Sequence, residues 1–178
     1  MRIVSGSLKG RKIIAPKNLP VRPTTDMAKE ALFNILNNSY YLDDISVLDL
    51  FAGTGNISYE FASRGCSDII AVDQFHGCVK FIETVSKQFD LPISALKKDV
   101  FKYLSSETDK YDIVFADPPY DLKTIIDLPN LIIGSKLLKN NGLLILEHGF
   151  ENDLSTVQNF IEKRTYSRVN FSFFKSNQ

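Results

Sequence analysis

Cysteine and histidine are scarce in this chain of 178 residues. Cys66 and Cys78 are the only thiols, His76 and His148 the only imidazoles, and none stands from another at a spacing that a metal site uses. That argues against a structural metal or a disulfide frame and implies a reducing compartment. Net charge is missing too: 21 Lys and Arg balance 21 Asp and Glu, so bulk charge supplies no pull toward nucleic acid or membrane. No apolar run approaches the roughly 20 residues of a membrane span, and the opening MRIVSGSLKG is too polar for a signal peptide, so a cytoplasmic protein is expected. What is present is 44% hydrophobic residues, enough for one domain with a proper core.

Charge is uneven along the chain even though it cancels overall. The first thirty residues hold Arg2, Lys9, Arg11, Lys12, Lys17, Arg22 and Lys29 against Asp26 and Glu30, a local balance of +5 that the rest of the chain offsets. Lys163, Arg164, Arg168 and Lys175 make a second basic cluster near the C-terminus. Dispersed lysines usually solvate a surface, but this asymmetry favours a polyanion at the ends of the chain. Two short β-like runs, Arg2 to Ser5 and Lys12 to Ala15, flank glycine-containing turn material and read as a hairpin. A basic extension over residues 1–20 and a main domain over 21–178 are therefore expected. In the segment that follows, Ala28, Ala31, Leu32, Ile35 and Leu36 recur at helical spacing, with Thr25 as N-cap and Asp26 in the first turn.

From residue 46 onward strand-like runs alternate with helical patterns: SVLDLF, DIIAVD, ISALKKD, YDIVFAD and GLLILEH. Between the second and third, Cys78, Phe81, Ile82, Val85 and Phe89 mark a helical face; after the fifth, Leu154, Val157, Phe160 and Ile161 predict another helix. Such alternation implies right-handed crossovers and a mostly parallel sheet covered on both faces. The tail YSRVNFSFFK reads as extended chain adding antiparallel strands at the edge.

Open α/β sheets bind ligands beyond the carboxyl ends of their strands, at the point where strand order reverses. The first run ends in LDLFAGTGNIS, where Gly53 and Gly55 allow a tight turn and close approach of the backbone to a ligand. A dinucleotide fingerprint would want glycine where Ser58 stands, and pyrophosphate has no use for Asp49. A ligand with a cationic amino-acid end tolerates that acid, and S-adenosylmethionine carries a sulfonium and an ammonium. Asp73 ends the second run, twenty residues after Gly53, where a carboxylate can accept from both ribose hydroxyls; Asp99 ends the third and can accept from an adenine amino group. Each acid alone could merely cap a strand end, but three at successive strand ends make a pattern.

The fourth run ends in Asp117, Pro118, Pro119 and Tyr120. Proline fixes its own φ and extends the residue before it, so the carbonyls of Asp117 and Pro118 are held in place. Those oxygens accept only, as does the ionised Asp117 side chain, and together they select a planar amino group. An exocyclic base amine is a poor nucleophile because its lone pair is delocalised. Fixed acceptors can hold its hydrogens, turn the lone pair toward a methyl donor and stabilise the positive charge that grows during transfer. Tyr120 would stack on a base that has left its helix.

With these residues in hand, DPPY after one strand and DLFAGTG after another resemble the class I S-adenosylmethionine-dependent methyltransferases that act on exocyclic nitrogens. The ordered series MRIVSGSLKGRK, VRPTTDMAKEALFNIL and LDLFAGTGNISYEFASRG is similar to the bacterial 16S ribosomal RNA guanine-N2 methyltransferases of the RsmD type, over nearly the whole chain. The resemblance implies a Rossmann-like, mostly parallel seven-stranded sheet with helices on both faces plus a small N-terminal β-hairpin. It implies that Phe51, Gly53, Gly55, Asp73, Asp99 and Val100 hold the cofactor, with Thr24 of the Arg-Pro-Thr segment near its mouth. Asp117, Pro118 and Tyr120 would bind the target base, and Lys9, Arg11, Lys12 and Arg22 the RNA. The implied partner is 16S rRNA, within an assembling small ribosomal subunit, and a monomer is expected. The family often has a small residue where Asn56 stands and usually Glu where Asp73 stands. The helix after the second strand commonly carries an Asn there, where this chain has only ETVSKQ.

Three rivals remain at this stage. A DNA adenine-N6 methyltransferase shares the acid-Pro-Pro-aromatic corner but normally carries a further target-recognition region, for which this chain has little room. A nicotinamide-dependent dehydrogenase is weaker still, because this chain has Ser58 in place of the third glycine and no evident catalytic Lys, Tyr or His arrangement near the switch point. A non-catalytic RNA-binding module with a methyltransferase shell is the alternative from another class, and the intact DPPY argues against it.

Overall fold

The computed structural model describes residues 1–16, 19, 24–119 and 122–176. Helix α1 (Asp26–Asn37) opens with the Thr25 hydroxyl accepting from the Ala28 amide at 3.3 Å, so the cap read from the sequence stands. Thr25→Ala should cost about 1 kcal/mol, read as a lowered urea midpoint with an unchanged slope. The remaining elements are β1 (Ser46–Leu50), α2 (Asn56–Ser63), β2 (Asp68–Asp73), α3 (His76–Phe89), β3 (Ile93–Lys97), α4 (Val100–Ser106), β4 (Tyr111–Ala116), α5 (Leu128–Gly134), β5 (Leu138–His148), β6 (Phe160–Tyr166) and β7 (Val169–Lys175). Among the described residues no helix is long and apolar enough to cross a membrane.

The seven strands form one sheet in the order β3-β2-β1-β4-β5-β7-β6. The first five in this order pair in parallel, β7 pairs antiparallel with β5, and β6 closes the edge against β7. The chain moves outward from β1 through β2 to β3, then returns to lay β4 on the other side of β1. The order therefore reverses between β1 and β4, and the crevice above their ends is where an α/β sheet of this kind takes its ligand.

Each face of the sheet carries its own core. Leu48, Leu50, Val114, Leu144 and Leu146 face α4 and α5, while Val47, Ile69, Ile113, Phe115 and Ile145 face α1 and α2. The alternation of neighbours between the two faces is the period of two along each buried strand.

The chain between β5 and β7 departs from the sequence expectation. No helix follows β5: Leu154 and Val157 lie in turns, and Phe160 and Ile161 begin β6. Leu154 is buried, Val157 and Phe160 pack against the same core, and Ile161 points outward at 49% exposure. The helical spacing was thus shared between a turn and a strand. The N-terminal hairpin is also shorter than expected, with a single antiparallel bridge between Arg2 and Lys12. It is fastened by bonds from the Ile3 amide to the Arg11 carbonyl (2.9 Å) and from the Ile13 amide to the Met1 carbonyl (3.0 Å). Ile3 and Ile13 seat it on Tyr59, Ala71, Ile82 and Val85.

A candidate cofactor and target-base pocket

A cavity of about 400 Å³ opens above the carboxyl ends of β1 to β4. Of the residues assigned to a cofactor from the sequence, Phe51, Gly53, Asp73, Asp99, Val100 and Thr24 line it, as do Asp117 and Pro118 of the proposed target corner. Gly55 stands behind the wall as the N-cap of α2 at φ 79°, where an added Cβ would come within 2.9 Å of both Ile82 and Tyr59. Positive φ and crowding together leave glycine as the one residue that fits there. Phe51 is also left-handed, at φ 59°, and its ring meets that of Phe101 edge-on at 6.3 Å. A bulky residue in that conformation is strained, and such strain concentrates at ligand sites.

The two ends of the cavity differ in chemistry. Around β2 and β3 it has apolar walls, Phe75, Phe101 and Val100, beside two acids. Asp73 accepts from the Gly53 and Phe75 amides, each at 2.8 Å and each on a different oxygen. Each oxygen keeps a further lone pair for a hydroxyl donor. Burial raises the Asp73 pKa in spite of those bonds. Asp99 caps α4 by accepting from the Lys102 amide at 3.0 Å and still lines the cavity. From the sequence the alternative to an adenine-side role is an acid that merely ends a strand; Asp99 is instead the N-cap of α4, and its second oxygen is not used by that cap.

At the other end acids gather. Asp49 is buried and accepts from the Ser58 hydroxyl at 2.5 Å, and burial pushes its pKa up to about 7. The Asp117 amide donates to the Leu50 carbonyl at 3.3 Å, which keeps β4 zipped to β1 as far as the corner. Its carboxyl is pushed well above the ordinary value, first by burial, then by the charges of Glu147 and Asp49. Glu147 follows Leu146, which is paired with Ala116, and its Oε2 accepts from the Thr24 hydroxyl at 2.8 Å. None of the described lining residues is Lys or Arg. Several desolvated carboxyls lining one cavity favour a ligand that brings positive charge.

Several residues escaped the sequence reading. Phe75 and Phe101 each follow a named acid by two positions and supply apolar walls, a signal available in the strings DQF and DVF. Glu147 was visible only as part of a strand. Tyr120 and Arg22 lie outside the described residues.

The basic patch needs correction. Lys29, counted among the N-terminal cations, is fully buried and paired with Glu60 at 3.2 Å. Arg2 forms an exposed pair with Asp26. Lys9, Arg11 and Lys12 remain exposed on the hairpin, with Arg11 stacked over the Phe89 ring at 5.1 Å. Lys12 and Arg2 line an open groove of about 750 Å³ that reaches Thr54, a residue it shares with the cofactor-sized cavity.

Comparison with known proteins follows the same lines. A Bacillus subtilis chain, YlbH, provisionally named an rRNA methyltransferase, is 32% identical over 98% of both chains. Ribosomal RNA small subunit methyltransferase D of Escherichia coli K12 is 30% identical over 88% of this chain and 79% of its own. In fold, the Thermus thermophilus 16S rRNA N2 G1207 methyltransferase RsmC, solved with AdoMet and guanosine, overlays with a TM-score of 0.69 at 19% identity, covering 89% of this chain and 45% of that one. The model of the family described as Conserved hypothetical protein 95 matches residues 1–175, so the chain belongs to that family, the RsmD-type rRNA methyltransferases that its opening, glycine loop and DPPY corner resemble.

Proposed function

We propose that this chain is an S-adenosylmethionine-dependent rRNA methyltransferase whose target is the exocyclic N2 of a guanine in 16S rRNA. The observation that carries the reading is the pairing of an acid-lined, cation-ready pocket with the Asp117-Pro118 corner at the reversal of strand order. Enzyme class and rRNA substrate accord with the names of the relatives just given. The choice of guanine N2, and of an assembling small subunit as the setting, goes beyond those names.

The donor set fits the cofactor. Asp73 suits a ribose diol, Phe51, Phe75, Phe101 and Val100 suit an adenine ring with Asp99 at its edge, and Asp49 suits the cationic amino-acid end. Bound there, S-adenosylmethionine supplies an electrophilic methyl group on a sulfonium. Asp117 and the Pro118 carbonyl hold the hydrogens of the target amine and aim its lone pair across the pocket. Once ionised, the Asp117 carboxylate can also take the proton that the amine loses on transfer, and its raised pKa makes that carboxylate the stronger base.

The basic hairpin within residues 1–20 is the natural grip on RNA phosphates, now narrowed to Lys9, Arg11 and Lys12, with Arg22 following in the next segment of the chain. Changing those three to alanine should weaken RNA binding by tenfold or more. It should also reduce the slope of log affinity against log salt by about 2 to 3, since each phosphate contact contributes roughly 0.7 to 0.9. Unchanged affinity and slope would remove the hairpin from the interface.

The reading itself is tested by transfer of radiolabelled methyl to small-subunit particles that lack their native modification, followed by nucleoside digestion. N2-methylguanosine in the rRNA is the expected product. Label in DNA as N6-methyladenine would move the protein to another class of enzyme.

A further inference from the structure

The hairpin and the pocket are joined by one buried polar chain. Lys29 Nζ has three hydrogens and three acceptors: the Arg2 carbonyl at 2.7 Å, Asn56 Oδ1 at 2.8 Å and Glu60 Oε2 at 3.2 Å. Glu60 in turn accepts from the hairpin amides of Val4 (2.9 Å) and Ser5 (3.0 Å) and is clamped by Arg64 at 2.9 Å. Asn56, at the start of α2 and in the cavity wall, turns its amide the other way and donates to the Thr24 carbonyl at 3.0 Å. The Thr24 hydroxyl then donates to Glu147, whose charge bears on Asp117. Ser63 adds a parallel fastening, accepting from the Leu8 amide and donating to the Ser5 carbonyl.

We propose that Asn56 and Lys29 are positioning residues that lock the hairpin to Thr24, so that the RNA-gripping arm and the wall of the methyl-transfer pocket are held as one body. The proposal rests on the reading of the pocket given above. A buried network in which each member is bonded to the next has few alternative arrangements, so displacement at one end is felt at the other. Asn56 is the pivot because its two ends face different partners: its oxygen serves the lysine and its nitrogen serves Thr24. A carboxylate in its place would keep the first bond and abolish the second, setting oxygen against oxygen at the Thr24 carbonyl.

Asn56→Asp therefore separates positioning from mere support of the buried lysine. In the full-length protein, amide exchange in the peptide containing Thr24 and Thr25 should quicken at least tenfold. At saturating RNA and cofactor, kcat should fall about tenfold while KM for RNA stays within threefold. Unchanged exchange, or unchanged kcat, or a loss confined to KM, would overturn the proposal.

Asn56→Ala should reproduce the kcat loss, and it carries the test should the aspartate fail to fold; Lys29→Met is the riskier variant because it strands Glu60. Lys29→Arg should recover most of what Lys29→Met loses. If the parent protein transfers methyl to no RNA, the functional reading falls by itself, and the exchange measurement on Asn56→Asp decides the coupling alone.

Discussion

Replacing Asp117 with alanine is expected to remove about a hundred- to a thousandfold of methyl transfer at saturating substrates, the scale seen when one preorganised electrostatic group is lost from an active site. Cofactor affinity should stay within a few-fold. Asp117 directly follows β4, is tied to β1 through the Leu50 carbonyl, and lines the cavity together with Pro118 and Pro119. Its carboxyl is crowded by Glu147 and Asp49, so alanine also relieves repulsion in the unliganded protein. The variant should consequently melt no lower than its parent, and lost turnover could not be assigned to unfolding. Asp117→Asn, which keeps one acceptor but takes up no proton, should fall between the two. Equal losses of cofactor affinity and turnover would mean that Asp117 faces the cofactor and not the target amine.

How far the sequence carried depends on which physical signal each element left behind. DIIAVD and YDIVFA are buried on both faces and so appear as short apolar, β-branched runs that end in an acid or lead into one. Neither run marks its neighbour, and β4 lies beside β1 because the sheet has the usual reversal of order of an open α/β fold. The strand β6 left no such run. It is an edge strand, FIEKRTY, exposed on one side and lined with charge, as edges must be to avoid pairing with other chains. Its alternation was polar, and the apolar residues before it happened to fall at helical spacing.

The pocket was legible where chemistry and special backbone coincide, as at the glycine loop and the double proline. It was illegible where function depends on partners distant in the chain. Lys29 looked like one more surface cation. Yet it lies three, four and seven positions before Leu32, Phe33 and Leu36, all buried on one face of α1, so the helical period already turned it inward. What the period could not supply was Glu60, on an α2 buried throughout, as the partner that makes a buried lysine tolerable.

Asp49→Asn should produce the second large effect, with opposite signs in the free and bound protein. The Asp49 pKa of about 7 lies above its value in the unfolded chain, so between about pH 4 and pH 7 the folded protein binds the extra proton. Stability therefore falls as pH rises through that window, by about 4 kcal/mol at most for a shift of this size. Asparagine cannot ionise and can still accept from the Ser58 hydroxyl. The unliganded variant should thus be more stable than its parent at pH 8, nearly equal to it at pH 4, and shallower in its dependence between them, as read from urea midpoints.

With S-adenosylmethionine the order reverses. The same carboxylate is what a cationic ligand recognises, so the parent's affinity should tighten as pH rises through about 7, and Asp49→Asn should bind ten- to a hundredfold more weakly above that pH by calorimetric titration. A variant destabilised equally at both pH values, with cofactor affinity intact, would reduce Asp49 to an acceptor for Ser58. The predicted exchange of stability for affinity would instead identify Asp49, the buried acid of β1, as a group that gives up stability of the fold for recognition of positive charge.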